Sequence, residues 1–200
     1  VRLSVLDHGQ KRLPRAFKRV VATISPPGLD DVALTSMYRP DFFGRPWIVL
    51  LREVMRGPSE WTPGERELFA AFTAHLNSCP YCVGVHTGTA TLGLGVDVDL
   101  DRLEQWKAGG FDPRIRAVFG LLEKVTGNPA GVTLDDIDVV RAAGVSDDAI
   151  VDALHVNFIM NVVNRLANAL GFSYGDEDGR LATAGALHRI GYKLPGFLLR

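Results

Sequence analysis

The chain has 200 residues, 46% hydrophobic and 22% charged, with 22 Lys and Arg against 23 Asp and Glu and a net charge of −1 at neutral pH. A chain of this size buries roughly 70% of its extended surface as one domain or two small ones, and this apolar content excludes intrinsic disorder. The charge balance argues against nucleic-acid binding through bulk charge. The longest apolar run, Trp47 to Leu51, is too short to span a bilayer, and no internal repeat is apparent.

Residues 1–20 carry Arg2, Lys11, Arg12, Arg15, Lys18 and Arg19 against one acid, Asp7. A signal peptide needs an apolar stretch and a small-residue cleavage site after its bases. Val20, Val21, Ala22 and Ile24 are too few before Pro26 and Pro27. The expectation is a cytoplasmic protein with a basic N-terminal arm over 1–35, either solvated or docked on a subunit or partner. The Pro26-Pro27-Gly28 turn is its expected hinge, and 36–200 form the domain.

From there the apolar spacing is three and four, not two, which predicts helices near 41–56, 63–77, 80–92, 100–108, 113–126, 134–143, 147–170 and 177–190. Pro46 is placed to break the first. Thr62-Pro63-Gly64-Glu65 has capping-box spacing with proline in the first turn. Asp112-Pro113, Thr133 with Asp135 and Asp136, and Ser146 with Asp147 and Asp148 open later helices; Gly127, Gly144 and Gly171 close them. The reading is a single-domain all-α helical bundle.

The two cysteines, Cys79 and Cys82, cannot form a disulfide framework. They stand in Ser78-Cys79-Pro80-Tyr81-Cys82-Val83-Gly84-Val85-His86. Pro80 suits the first helical position, with Cys79 as cap and Cys82 in the first turn, where the helix dipole favours both thiolates. Positions 79, 82, 86 and 90 share one helical face, so His86 can serve Cys82 as base or proton shuttle. Glu67, one helix earlier among Ala70, Ala71 and Ala74, can fix the His86 tautomer and raise its basicity. Two cysteines fall three apart in about 1% of random placements, and a histidine four further on cuts that to roughly 0.03%.

Several chemistries use such a pair. Redox or peroxidatic thiols are the leading reading. A zinc or assembly site would use Cys79, Cys82, His86 and either His75 or Glu67, although one helical turn closes a tetrahedron awkwardly. Inert buried cysteines are the third. Covalent haem attachment needs histidine at 83, which is valine, and a thioredoxin-like site needs a βαβ context that is missing.

Taken together, Glu67-x11-Cys79-x2-Cys82-x3-His86 resembles the alkylhydroperoxidase D-like (AhpD-like) family of the carboxymuconolactone decarboxylase superfamily, in its peroxidase-related branch. Thr62 to Leu68 looks like that family's approach to the motif, and Asn157 to Gly171 resembles a later helix; the likeness covers about residues 36–172. The resemblance implies an AhpD-like all-α domain over 36–200, assembly into homo-oligomers, and reduction of hydroperoxides through a cysteine pair. It assigns peroxide attack to Cys82, resolution to Cys79 and a proton relay to Glu67 and His86. No bound cofactor or metal is implied. The electron donor is then an external dithiol or reductase of the dihydrolipoamide or thioredoxin kind, and the other partner is the hydroperoxide; neither nucleic acid nor membrane is expected. The best-studied members carry a histidine where this chain has Tyr81. Decarboxylase members lack the cysteine pair, so decarboxylation is not expected. A disulfide oxidoreductase or redox sensor on the same pair is the alternative.

Asn157, Asn161, Asn164 and Asn168 form a stripe on the long helix, expected to bond between helices or subunits or to line the thiol pocket. Arg165 is read as an ion-pair partner, His75 and His155 as core or edge histidines, and Trp47 and Trp61 as core or interface. Asp135, Asp136 and Asp138 read as helix-start charge, as do Asp176, Glu177 and Asp178. No glycine-rich phosphate loop is present.

Overall fold

A computed structural model describes residues 1–24, 29–40, 44–193 and 195–196. Among them the regular elements are helical. In chain order they are α1 (Val5–His8), α2 (Arg12–Ile24), α3 (Asp31–Tyr38), α4 (Arg45–Arg56), α5 (Pro63–Leu76), α6 (Pro80–Leu94), α7 (Leu100–Glu104), α8 (Pro113–Gly127), α9 (Leu134–Ala142), α10 (Asp147–Leu170) and α11 (Glu177–Ile190). Short 3-10 turns lie at Trp106–Ala108 and Pro129–Gly131. None of the described helices is long and apolar enough to cross a membrane.

The local chemistry explains the boundaries. Thr62 Oγ1 accepts the Glu65 amide at 3.2 Å and the Glu65 carboxylate accepts the Thr62 amide at 2.7 Å, closing a capping box at the head of α5. Ser146 and Asp176 accept the amides of Ala149 and Gly179 at 3.1 and 2.9 Å. Pro46 does not break α4. It stands in the first turn, where its missing N–H would have had no helical partner. The helix expected over 100–108 is interrupted: α7 ends at Glu104 and the chain tightens into a 3-10 turn. That turn seats Trp106 edge-on against Phe72 and Phe119, at 5.6 and 5.9 Å.

The arm over 1–35 holds α1, α2 and part of α3, and its first residues are tied to the end of α10. The Arg2 amide donates to Leu170 O at 2.6 Å, and Gln10 Nε2 donates to Leu6 O and Leu34 O at 2.8 and 2.9 Å. The Pro26-Pro27-Gly28 hinge and the start of the helix expected from 41 lie outside the described residues.

The antiparallel pair α5 and α6 forms the centre. α10 and α8 pack on α5, and α11 packs on α6. The core gathers Trp61, Phe69, Phe72, Phe119, Ile159 and Met160, with Phe72 stacked on Phe119 at 3.9 Å. Trp61 satisfies its indole by donating to Ala149 O at 2.7 Å. α5 is buried continuously from Arg66 to Ala74. Its N-terminal end touches the C-terminal end of α6 backbone to backbone. A Cβ on Gly64 would lie 2.8 Å from the Gly93 carbonyl carbon, and one on Gly93 would lie 2.8 Å from Gly64 Cα.

Candidate active site

The corner between α5 and α6 places the thiols. The Asn77, Ser78 and Cys79 amides donate to Thr73 O, His75 O and Ala74 O at 3.1, 2.9 and 3.0 Å. Ser78 turns the chain at φ 50°, the one non-glycine of positive φ among the described residues. Left-handed backbone costs a non-glycine residue about 1–2 kcal/mol. The corner is held from outside, because Asn168 Nδ2 donates to Asn77 O and Ser78 O at 3.1 and 3.3 Å.

Cys79 is the N-cap of α6, Pro80 opens the helix and Cys82 stands in its first turn. Both cysteines are free thiols, each 1% exposed. Their environments differ. A hydrogen bond from the Cys82 thiol holds Cys79 below the ordinary thiol range; burial opposes it and the Cys82 amide adds to it. Cys82 is pushed well above that range by Cys79, by its own burial and by the Cys79 charge, with Asn164 pulling the other way. Of the two, Cys79 is the more acidic thiol and Cys82 the less acidic.

The expected shared face holds for Cys82, His86 and Ala90, all directed inward. Cys79 departs from it. Its backbone lies outside the helix at φ −109°, ψ 89°, and it contributes instead to the wall of a cavity of about 1060 Å³. That cavity runs between α6 and α11, past Pro80, Val83, Thr87, Leu181 and Gly185; Cys82, Glu67 and His86 are not in its wall.

Glu67 and His86 do meet. His86 Nδ1 lies 2.6 Å from Glu67 Oε2. An ionised carboxylate only accepts, so Nδ1 carries the proton and Nε2 is left as the basic atom. Glu67, 1% exposed, has two further partners that sequence reasoning missed: Arg56 Nη2 at 2.6 Å and Tyr192 Oη at 3.0 Å, both on Oε1. Burial pushes the Glu67 carboxyl up, but His86 and then Arg56 more than offset this and hold it below its usual value. A buried carboxylate twelve residues before a CxxC invites a search for a cation, yet the spacing alone could not choose Arg56.

The asparagine stripe does two jobs. Asn157 donates to Thr73 Oγ1 and Thr126 Oγ1 at 3.2 and 2.8 Å, and Asn77 Nδ2 donates to Asn161 Oδ1 and Asn164 Oδ1 at 3.1 and 3.2 Å. Asn164 is fully buried, and its Nδ2 has no hydrogen-bond partner among the described residues. Arg165 donates to Asn161 Oδ1 at 2.6 Å. Tyr81 is a packing residue, ring against Phe172 and Tyr174 at 5.6 and 5.8 Å. His75 lies at the cavity wall near Cys79. Asp136 accepts from Lys124 and caps α9, as helix-start charge should. Among the described residues no three of His, Cys, Asp and Glu gather as a metal site.

Residues 43–124, which include Glu67, Cys79, Cys82 and His86, match the sequence profile of the carboxymuconolactone decarboxylase family. No curated protein matches the chain. Among solved structures, the fold is similar to that of an uncharacterized peroxidase-related protein from Silicibacter sp. TM1040, with TM-score 0.73 and 20% identity over 90% of this chain and 93% of that one. It is similar also to an alkylhydroperoxidase AhpD core, an uncharacterized peroxidase-related protein from Ralstonia eutropha JMP134, with TM-score 0.75 and 24% identity over 92% of this chain and 96% of that one.

Proposed function

We propose that this chain, a member of the carboxymuconolactone decarboxylase superfamily with the AhpD-type fold, is a thiol peroxidase that reduces alkyl hydroperoxides through a Cys79/Cys82 dithiol–disulfide cycle. The observation that carries this is the head of α6. Two thiols in contact stand there, one facing a cavity, with a buried carboxylate–imidazole pair one turn further along. The superfamily is named for decarboxylases, but a dithiol has no part in that chemistry, whereas a peroxide consumes it directly.

In the cycle a thiolate attacks the peroxide and breaks the O–O bond, giving an alcohol and a sulfenic acid. The second thiol condenses with the sulfenic acid, releasing water and forming the disulfide. An external dithiol of the dihydrolipoamide or thioredoxin kind then returns two electrons by exchange. His86, held by Glu67, shuttles the proton of Cys82. The active unit is a homo-oligomer working in the cytoplasm, with no bound cofactor, nucleic acid or membrane partner.

Counting thiols on fully reduced protein before and after one equivalent of tert-butyl hydroperoxide tests this reading. Rapid loss of both thiols per chain supports it. Survival of both would hand the pair to disulfide exchange, which the same cavity could serve.

A further inference from the structure

We propose that Arg56 is a positioning residue of this site: as the permanent counter-ion of the buried Glu67 carboxylate, it lets His86 stand neutral beside that carboxylate, with Nε2 free to take the Cys82 proton. This deepens the thiol reading above and rests on it for the origin of that proton.

A carboxylate that is 1% exposed stays ionised only with a positive charge beside it. Two side chains are placed to supply one. His86 Nδ1 lies 2.6 Å from Oε2, and Arg56 Nη2 lies 2.6 Å from Oε1. The consequences for the imidazole are opposite. With His86 as counter-ion the ring is an imidazolium, protonated on both nitrogens, and no basic atom is left. A guanidinium is protonated at every working pH, so Arg56 brings its charge without drawing on the imidazole. His86 then needs only the Nδ1 proton for its bond to Oε2. Arginine, carboxylate and imidazole together sum to zero charge with Nε2 bare.

Arg56 is held for this from three directions. Nη1 donates to Met55 O at 2.8 Å, Nη2 reaches Leu187 O at 3.4 Å, and the guanidinium carbon stands 5.0 Å from the centre of the Tyr192 ring. The other titratable groups around the pair do not replace it. The Tyr192 hydroxyl, after α11, donates to Oε1 at 3.0 Å but brings no charge, since burial keeps the phenol protonated. Arg66, on α5, is buried and donates to Val54 O at 2.9 Å, with Asp152 of α10 answering part of its charge. Cys82 stands one turn before His86 on α6. Its S–H gives the proton to Nε2, which leaves a thiolate and an imidazolium. The imidazolium then protonates the alkoxide that the broken O–O bond releases.

The test reads the imidazole by nitrogen-15 spectra and the thiol reaction by its pH profile, in the parent, Arg56→Gln and Arg56→Lys. The His86 signal is the one lost in His86→Gln. Near neutral pH the parent should show one protonated and one bare ring nitrogen. Arg56→Gln should show both protonated, because the carboxylate then draws its positive charge from the imidazole. Its rate with tert-butyl hydroperoxide should fall about tenfold near pH 6 and rejoin the parent above about pH 9. Arg56→Lys restores the charge and should match the parent in both readouts.

An imidazolium in the parent near neutral pH would overturn the proposal; that measurement needs no variant, so it decides the matter even where Arg56→Gln does not fold. A neutral His86 in folded Arg56→Gln, with equal slowing at every pH, would leave Arg56 a structural role only and overturn it too. The spectra are taken without peroxide. A parent inert to tert-butyl hydroperoxide therefore defeats the peroxidase reading alone, and the spectra still settle which side chain carries the charge.

Discussion

The Tyr192 hydroxyl donates to Glu67 Oε1 at 3.0 Å across 125 residues of sequence. The same ring stands against the Arg56 guanidinium, 5.0 Å from carbon to ring centre, and Arg56 shares that oxygen at 2.6 Å. Oε1 is thereby occupied and Oε2 is left to His86. The Glu67–His86 pair is clamped by the last residue of α4 and by the segment that follows α11, two parts of the chain with no place in the cysteine motif.

Replacing Tyr192 with phenylalanine keeps the ring over Arg56 and removes the hydroxyl. Urea unfolding should show a loss of about 1.5–3 kcal/mol, the value of a hydrogen bond to a charged group. A loss below about 0.5 kcal/mol, within the usual scatter of neutral substitutions, would show that the contact contributes nothing.

His86→Ala should slow peroxide turnover by about 10²–10⁴-fold, the usual worth of a general base, while circular dichroism stays that of the parent. An unchanged rate would remove the relay from the mechanism.

The pH dependence of folding has a definite sign. His86 and Arg56 hold Glu67 below its unfolded value. Its contribution is therefore complete above the ordinary carboxylate pKa of about 4.3 and is lost as pH falls through the lower folded value. Comparing unfolding free energies of the parent and Glu67→Gln, the difference should be flat near neutral pH and shrink only below about pH 4. A difference that persists in acid would place the effect in packing.

Gly185 lines the cavity, and a Cβ there meets nothing within 4 Å. Gly185→Leu should gain about 0.8–1 kcal/mol of helix propensity while narrowing the channel to Cys79. The ratio of kcat/KM for cumene hydroperoxide to that for hydrogen peroxide should drop about tenfold, an energy of one or two lost methylene contacts. An unaltered ratio would mean that substrates reach the sulfur by another way.

Most of the architecture was legible because its signals are local. Thr62, Ser146 and Asp176 are caps whose partners lie three residues away, and Gly171 ends α10 in the left-handed conformation. The Glu67–His86 pairing was legible because a capped helix, a short corner and a second helix leave little freedom between them. The limits are equally physical. Arg56 and Tyr192 reach Glu67 through tertiary packing, which no spacing encodes. Cys79 was placed on the face of Cys82 by helical periodicity, but an N-cap does not obey it. The asparagine stripe is visible in the sequence, yet which member meets Thr73 and which meets Asn77 depends on the rotation of α10 against α5. Pro14 lies in the first turn of α2, where proline is tolerated, so the basic arm carries a helix from Arg12 to Ile24.

Gly64 and Gly93 act as the gauge of the Glu67–His86 contact. Glu67 is one turn from Gly64 and His86 two turns from Gly93, and a 2.6 Å bond between two helices survives only while their axes keep one spacing. A single methyl group at either glycine would wedge the hairpin apart near the carboxylate and open that bond to a gap. The spacing of the Glu67–His86 pair is thus set to a tolerance of one carbon atom by two residues that have no side chain and do not line the cavity.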